Sequence, residues 1–156
     1  DESCHLFDPA QWHNKSHKWI NKLFIKESIP QVFHIPLPGT YKRSVVRLWN
    51  KAKAAHATPD LKDYLLLAYD PTPWKSDLYM LVTSEVSEAN NVRFSGSFYS
   101  KVFDGSLNHI PQYIKQMDVE LARDEKMAVK YYFYFATCPD CAKKYGHNYI
   151  VAFAEV

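Results

Sequence analysis

The stretch "ATCPDCAKKYGHNY", residues 136–149, gathers the side chains of this chain best suited to covalent or metal chemistry. Cys138 and Cys141 form a C-x-x-C pair, and His147 follows six positions later. Three readings fit. Structural zinc needs four tetrahedral ligands, of which a C-x-x-C knuckle supplies two. Cys4 and His147 would complete that set, with His5, His13 and His17 as further donors. A redox pair would want its first cysteine at a helix N-terminus, where the thiolate is favoured. Here the pair follows a strand pattern and is expected to lead into a turn. The third reading is an ordinary hairpin turn bent at Pro139.

Hydrolysis asks for a base within reach of water, and Glu155 and His147 are the candidates. There is no Gly-x-Ser-x-Gly elbow, and no cysteine is placed as an activated nucleophile beside a histidine. A ligand would be held by aromatic side chains, which combine apolar area with orienting hydroxyls. In "YYFYF", residues 131–135, strand alternation sets Tyr131, Phe133 and Phe135 on one face and Tyr132 and Tyr134 on the other. One face must meet helices. The other is either capped by the N-terminal segment through Trp12 and Trp19 or forms the floor of a cleft. Tyr132, Tyr134, Tyr149, Tyr99 and Trp74 are the expected lining of that cleft.

The elements that would position these groups follow from periodicity. Asp8 before Pro9 resembles an N-cap with proline at the first helical position. Trp12, Ser16, Trp19, Ile20 and Leu23 then recur at helical spacing, predicting a helix over 9–22. Phe33 and Ile35 alternate with Val32, His34 and Pro36 as a strand, and Val45, Leu48, Trp49 and Ala52 make the apolar stripe of a second helix. "YLLLAY" and "LYMLVT" read as strands joined through "DPTPWKSD". "GSFYSKVFDG" is a further strand, "HIPQYIKQMDVEL" a helix, and the remainder a hairpin. After the first helix the order is β, α, β, β, given twice. Gly39 to Pro71 spans 32 residues and Gly105 to Pro139 spans 34, so the two halves register as an internal repeat.

Composition bounds the rest. A chain of 156 residues with 47% hydrophobic content closes one domain, and 15% aromatic residues exceed ordinary core filling. The formal charge is +2 with no basic run, so no nucleic-acid partner is expected. No window is apolar enough for a membrane span and the start lacks a signal-peptide core, so a soluble, cytoplasmic monomer or homodimer is expected. Three cysteines do not make a disulfide framework.

Three segments in this order, "IPQVFHIPLPGTY", "LLLAYDPTPWKSDLYMLV" and "GSFYSKVFDGSLNHIPQYIKQM", resemble the GyrI-like family of small-molecule-binding domains over about residues 24–156. The resemblance implies an α+β fold of tandem βαββ repeats. An antiparallel sheet would be backed by helices, with a ligand cleft on the pseudo-twofold axis. On that plan 1–23 is a helical extension, 24–90 the first repeat and 91–156 the second. Members of the family act as drug sensors, as gyrase inhibitors, or as hydrolases of strained rings. Many carry a glutamate on the last strand, followed by an aromatic and a proline. Here "YIVAFAEV" puts Val151 at the glutamate position, Phe153 at the aromatic one and Glu155 at that of the proline.

The expected function is therefore binding of a small apolar or cationic molecule in an aromatic cleft, with water activated at Glu155 or His147. No cofactor is required, and zinc would be structural. The alternative is a non-catalytic protein-interaction module resembling a gyrase inhibitor, which would show an exposed apolar patch instead.

Overall fold

In the computed structural model, which describes residues 7–156, the chain begins with a short 3-10 turn, Pro9–Gln11, capped by the Asp8 carboxylate. An 18-residue strand, β1 (Lys15–Val32), follows. The helix expected over 9–22 is thus replaced by one helical turn and a strand. The cap was read correctly but not what came after it. A four-residue spacing, as between Trp19 and Leu23, satisfies a strand's period of two as well as a helix's 3.6. His17, Trp19, Leu23 and Ile25 follow the period of two, and Ile20, which belonged to the helical stripe, is 75% exposed. Asn14 and Asn21 take φ of 54° and 52°, values Asn tolerates, on either side of Trp19.

The remaining elements are β2 (Ile35–Pro36), α1 (Thr40–Ala54), β3 (Leu66–Thr72), β4 (Lys75–Leu81), β5 (Asn90–Asp104), α2 (Ile110–Arg123), β6 (Lys130–Phe135), α3 (Pro139–Tyr145) and β7 (Tyr149–Glu155). The architecture is mixed α+β, dominated by antiparallel strands with few helices. The chain divides into two units. One contains the N-terminal residues up to Lys18 together with Gly96–Val156, and the other is Trp19–Ser95.

In the Trp19–Ser95 unit, β1 lies between β2 and β4, and β4 pairs with β3. The first hairpin turn is tighter than the eight residues the sequence suggested, since Thr72 already pairs with Lys75 around Pro73 and Trp74. Helix α1 packs its Leu48 and Ala52 into the core. Glu27 on β1 ties that helix down. Its Oε1 accepts from the Ser44 hydroxyl at 2.8 Å and from Arg47 Nε at 3.0 Å. Burial pushes the Glu27 carboxyl up, but the Arg47 and Ser44 bonds more than offset it and hold it below the usual range. A carboxyl depressed in this way stabilises the fold above its unfolded pKa, and the contribution is lost as pH falls through the depressed value. Glu27→Ala also strands the buried Ser44 hydroxyl. The expected cost is about 1–3 kcal/mol in urea unfolding at neutral pH, shrinking toward acid pH.

In the other unit β7 is central, with β6 on one side and β5 on the other. Phe103, Ala152 and Ala154 face α2 through Met117 and Leu121, joined by the half-buried Tyr99, Tyr131 and Phe133. The opposite face of β7 carries Tyr149, Val151, Phe153 and Glu155, alternating as the pleat requires. Trp12 meets Phe153 edge-on at 5.5 Å, and His17 lies 5.8 Å from the same ring. Capping by the N-terminal segment therefore occurs through Trp12, from a strand and turn rather than a helix. Trp19 belongs to the other unit and packs against Phe24.

Candidate functional site

The connection between β6 and β7 is not a simple turn. Cys138 is the N-cap of α3, its sulfur accepting the Cys141 N–H at 3.3 Å, and Gly146 ends the helix at φ +75°. The expectation that the cysteine pair leads into a turn is corrected here. The "AKKY" that follows the pair is a good helix-forming run closed by glycine, and it completes two turns. Gly146 has open space around it but a left-handed backbone, so Gly146→Ala should cost about 1–2 kcal/mol through φ strain alone. Thermal unfolding would read that loss.

Gly146 delivers His147 to the end of β5. The His147 Nδ1 lies 2.6 Å from Asp104 Oδ2, and the Asn148 N–H donates to Asp104 Oδ1 at 2.9 Å. Gly105 N–H donates to the Asn148 carbonyl at 3.0 Å, and Asn148 Nδ2 donates to the Gly105 carbonyl at 2.6 Å. Four hydrogen bonds thus pin the start of β7 to the end of β5. The His147 bond, first, and the Asn148 N–H hold the Asp104 carboxyl below the usual carboxylate range. An ionised carboxylate only accepts, so Nδ1 donates to Asp104, and no hydrogen bond engages Nε2 among the described residues. The imidazole is half exposed, with 53% of the side chain open to solvent.

Aromatic rings continue from this pair. The His147 ring stacks on Tyr149 at 5.2 Å and 13°, Tyr149 lies 5.4 Å from Phe7, and Phe7 meets Tyr134 edge-on at 6.0 Å. His147, Tyr149 and Tyr134, three of the residues expected from sequence, are therefore brought together. Tyr132 is on the same face of β6 as Tyr134 and packs toward Phe98 at 6.2 Å.

The others lie elsewhere. Glu155 sits at the far end of β7, six residues from Tyr149. At about 3.3 Å per residue that is roughly 20 Å, too far for one catalytic centre to use both candidate bases. Tyr99 is on the α2 face and donates its hydroxyl to Asn14 at 2.9 Å. Trp74 belongs to the other unit, 54% exposed and 4.8 Å from Phe33. Val151, where the sequence resemblance would expect a glutamate, is fully buried. Of the proposed zinc ligands, Cys4 lies outside the described residues, as does His5. Among the described residues no group of three or more His, Cys, Asp or Glu side chains is placed to hold a metal. Cys138 is a free thiol, whereas Cys141 is disulfide-bonded. His13 Nδ1 accepts the Val102 N–H at 3.2 Å, and His17 Nε2 meets the Ser100 hydroxyl at 2.7 Å.

Two depressions flank α2, one of about 250 Å³ bounded by Tyr99, Glu120, Arg123 and Lys126, the other along the helix's outer surface. Neither contains the dyad or its aromatic neighbours. The site residues that sequence reasoning missed are Asp104 and Phe7. Asp104 stands before Gly105, and that dipeptide reads as a turn signal, which hid its role as the partner of His147.

The family model described as Bacterial hydrolase matches residues 1–156. Two solved structures from Listeria innocua are similar in fold. One is of a hydrolase, at 12% identity and a TM-score of 0.64, covering 92% of this chain and 91% of that chain. The other is of an uncharacterized conserved protein, at 11% identity and a TM-score of 0.65, with 91% of each chain covered. At such identities the likeness concerns the fold alone. No curated protein matches the chain.

Proposed function

The chain belongs to the bacterial hydrolase family, and on that premise we propose that it hydrolyses a small, largely apolar molecule with His147 as general base. The observation that carries this reading is the Asp104–His147 pair at 2.6 Å, with no hydrogen bond on Nε2 among the described residues, beside the Tyr149, Phe7 and Tyr134 rings. Nε2 takes a proton from water as its oxygen attacks the electrophilic carbon of the substrate. Asp104 stabilises the imidazolium that forms, and Nε2–H then protonates the leaving group. The aromatic rings supply apolar area and faces for a flat or cationic substrate. Glu155 is the second candidate base, independent of this pair. The two units are read as βαββ repeats of the GyrI-like kind, a proposal supported by the strand, helix and hairpin that each contains.

The test is a panel of activated esters, lactones and strained-ring electrophiles, followed by product detection with the purified protein. Turnover of any member, lost in His147→Ala and kept in Glu155→Gln, supports the assignment. Turnover lost in Glu155→Gln alone moves the base to the other end of β7.

One observation favours a second reading, that of a protein-interaction module. Phe33 is 71% exposed, Ile35 69% and Trp74 54%, with Val32 and Leu37 also exposed in the same unit. Phe33 and Trp74 pack together, and the Gln31 N–H donates to the Trp74 carbonyl at 2.9 Å, so these residues form one apolar surface. Sedimentation of the wild type against Phe33→Ser/Trp74→Ser tests it for self-association. A concentration-dependent dimer abolished by the pair of changes supports the reading; a monomer throughout leaves no homodimer to explain the surface.

A further inference from the structure

We propose that the tip of the Trp19–Ser95 unit, where the β1–β2 and β3–β4 turns meet the start of α1, docks on an anionic phospholipid bilayer. The turn between β1 and β2 is only Phe33 and His34, since Val32 already pairs with Ile35. Both take positive φ, 48° and 66°, a conformation that Asn and Gly accept and that is an outlier for a bulky side chain. The neighbouring turn holds it there, the His34 N–H donating to the Pro73 carbonyl at 2.9 Å. The strained turn presents the Phe33 ring to solvent beside Trp74, with Val32, Ile35 and Leu37 exposed in the same unit. Backbone strain that keeps an apolar ring in water points to a surface that something covers.

Charge identifies the covering surface. From Ser28 to Pro59 the chain carries Lys42, Arg43, Arg47, Lys51 and Lys53 but no Asp or Glu. Arg47 is bonded to Glu27, whereas Lys42 and Arg43 are exposed in the first turn of α1, which has no acidic residue. That turn adjoins the apolar tip. The Leu37 N–H donates to the Pro30 carbonyl at 3.3 Å, the Thr40 N–H donates to the Leu37 carbonyl at 3.0 Å, and the Arg43 guanidinium lies over Gly39. Lys75, half exposed at the start of β4 and 3.8 Å from Asp77, adds a third cation. The acids here are engaged: Asp70 lies 2.8 Å from His34 Nδ1, and the buried Asp77 accepts from the Ser28 hydroxyl at 2.6 Å. Exposed aromatic and aliphatic side chains flanked by Lys and Arg match a bilayer interface, where headgroups attract the cations and the rings enter the acyl boundary. This goes beyond self-association, because an isologous contact at the tip would set these cations against their own equivalents.

The full chain is mixed with vesicles of phosphatidylcholine alone or in equal parts with phosphatidylglycerol, and bound protein is separated by flotation at low and high salt. The expected result is binding at least about tenfold tighter to the anionic vesicles, weakening as salt is raised. Phe33→Ser/Trp74→Ser and Lys42→Gln/Arg43→Gln should each lower it by about tenfold or more, with thermal unfolding close to wild type because all four side chains are exposed. Trp74→Phe should still bind but lose the shift of tryptophan emission to shorter wavelength that insertion gives the wild type. Should the aromatic pair be needed for folding, Lys42→Gln/Arg43→Gln and Trp74→Phe decide the matter. No binding to anionic vesicles overturns the proposal, as does equal binding to both vesicle types or binding undiminished in Phe33→Ser/Trp74→Ser. A dimer that depends on the tip, or retention on duplex DNA, in a chain that leaves the vesicles unbound also overturns it and assigns the surface to that partner.

Discussion

Replacing His147 by alanine is expected to lower kcat/KM for hydrolysis by about 10²–10⁴-fold, the usual share of a positioned general base. That corresponds to roughly 3–5 kcal/mol of transition-state stabilisation at about 1.4 kcal/mol per tenfold. The fold should be retained with a small loss of stability, because the imidazole is half exposed and, among the described residues, its only polar tether is Asp104. Asp104→Asn tests the orienting role. Asparagine can present its amide N–H toward Nδ1, which favours the tautomer whose Nε2 is already protonated. Because 44% of the Asp104 side chain is exposed, water compensates in part, and a loss of about tenfold or more in kcat with little change in KM is expected. The structural share of Asp104 is separable by pH. Its carboxyl is depressed by His147 and by the Asn148 N–H. Its stabilisation is therefore present above the ordinary carboxylate pKa and lost as pH falls through the depressed value. Thermal scans of wild type and Asp104→Asn should converge toward acid pH, and parallel curves would contradict the linkage.

The second large effect is on stability. Phe153 is fully buried at the centre of β7, in register with Ser100 on β5 and Tyr132 on β6, beneath Trp12 and His17. Phe153→Ala removes most of a phenyl ring from a place where strands on both sides prevent collapse. The expected cost is about 3–5 kcal/mol in urea unfolding. Because Trp12 packs on the same ring, its fluorescence should shift to longer wavelength in the folded variant. A loss below about 1 kcal/mol would mean that the face is open rather than a packed core.

The contrast between these residues shows what was legible in the sequence. Helices α1 and α2 could be read because their apolar stripes run long enough to separate a period of 3.6 from one of two. The strands around Pro71 and the aromatic strand β6 were legible from β-forming residues and turn signals. Residues 9–22 were not, since Trp19 and Leu23 fit both periods and a local cap favoured the helix. The start of α3 was hidden by its own shortness: seven residues after a cysteine and a proline look like a turn. Within the candidate site, His147, Tyr149 and Tyr134 were foreseen as residue types. Their convergence depended on Asp104, 43 positions away from His147, and on the glycine that ends α3. Long-range pairing of this kind leaves no local pattern in one sequence. Tyr99 lies apart from this group, on the α2 side, because its face of β5 depends on register, and one residue of slip exchanges the α2 side for the other.

The most direct test of His147 as the hydrolytic base is chemical rescue. His147→Gly is assayed on the best substrate of the panel with and without added imidazole. The expected result is activity lost in the variant and partly restored by imidazole in a saturable manner, with no such gain in wild type or in Glu155→Gln. Undiminished activity in His147→Gly without imidazole would contradict the assignment.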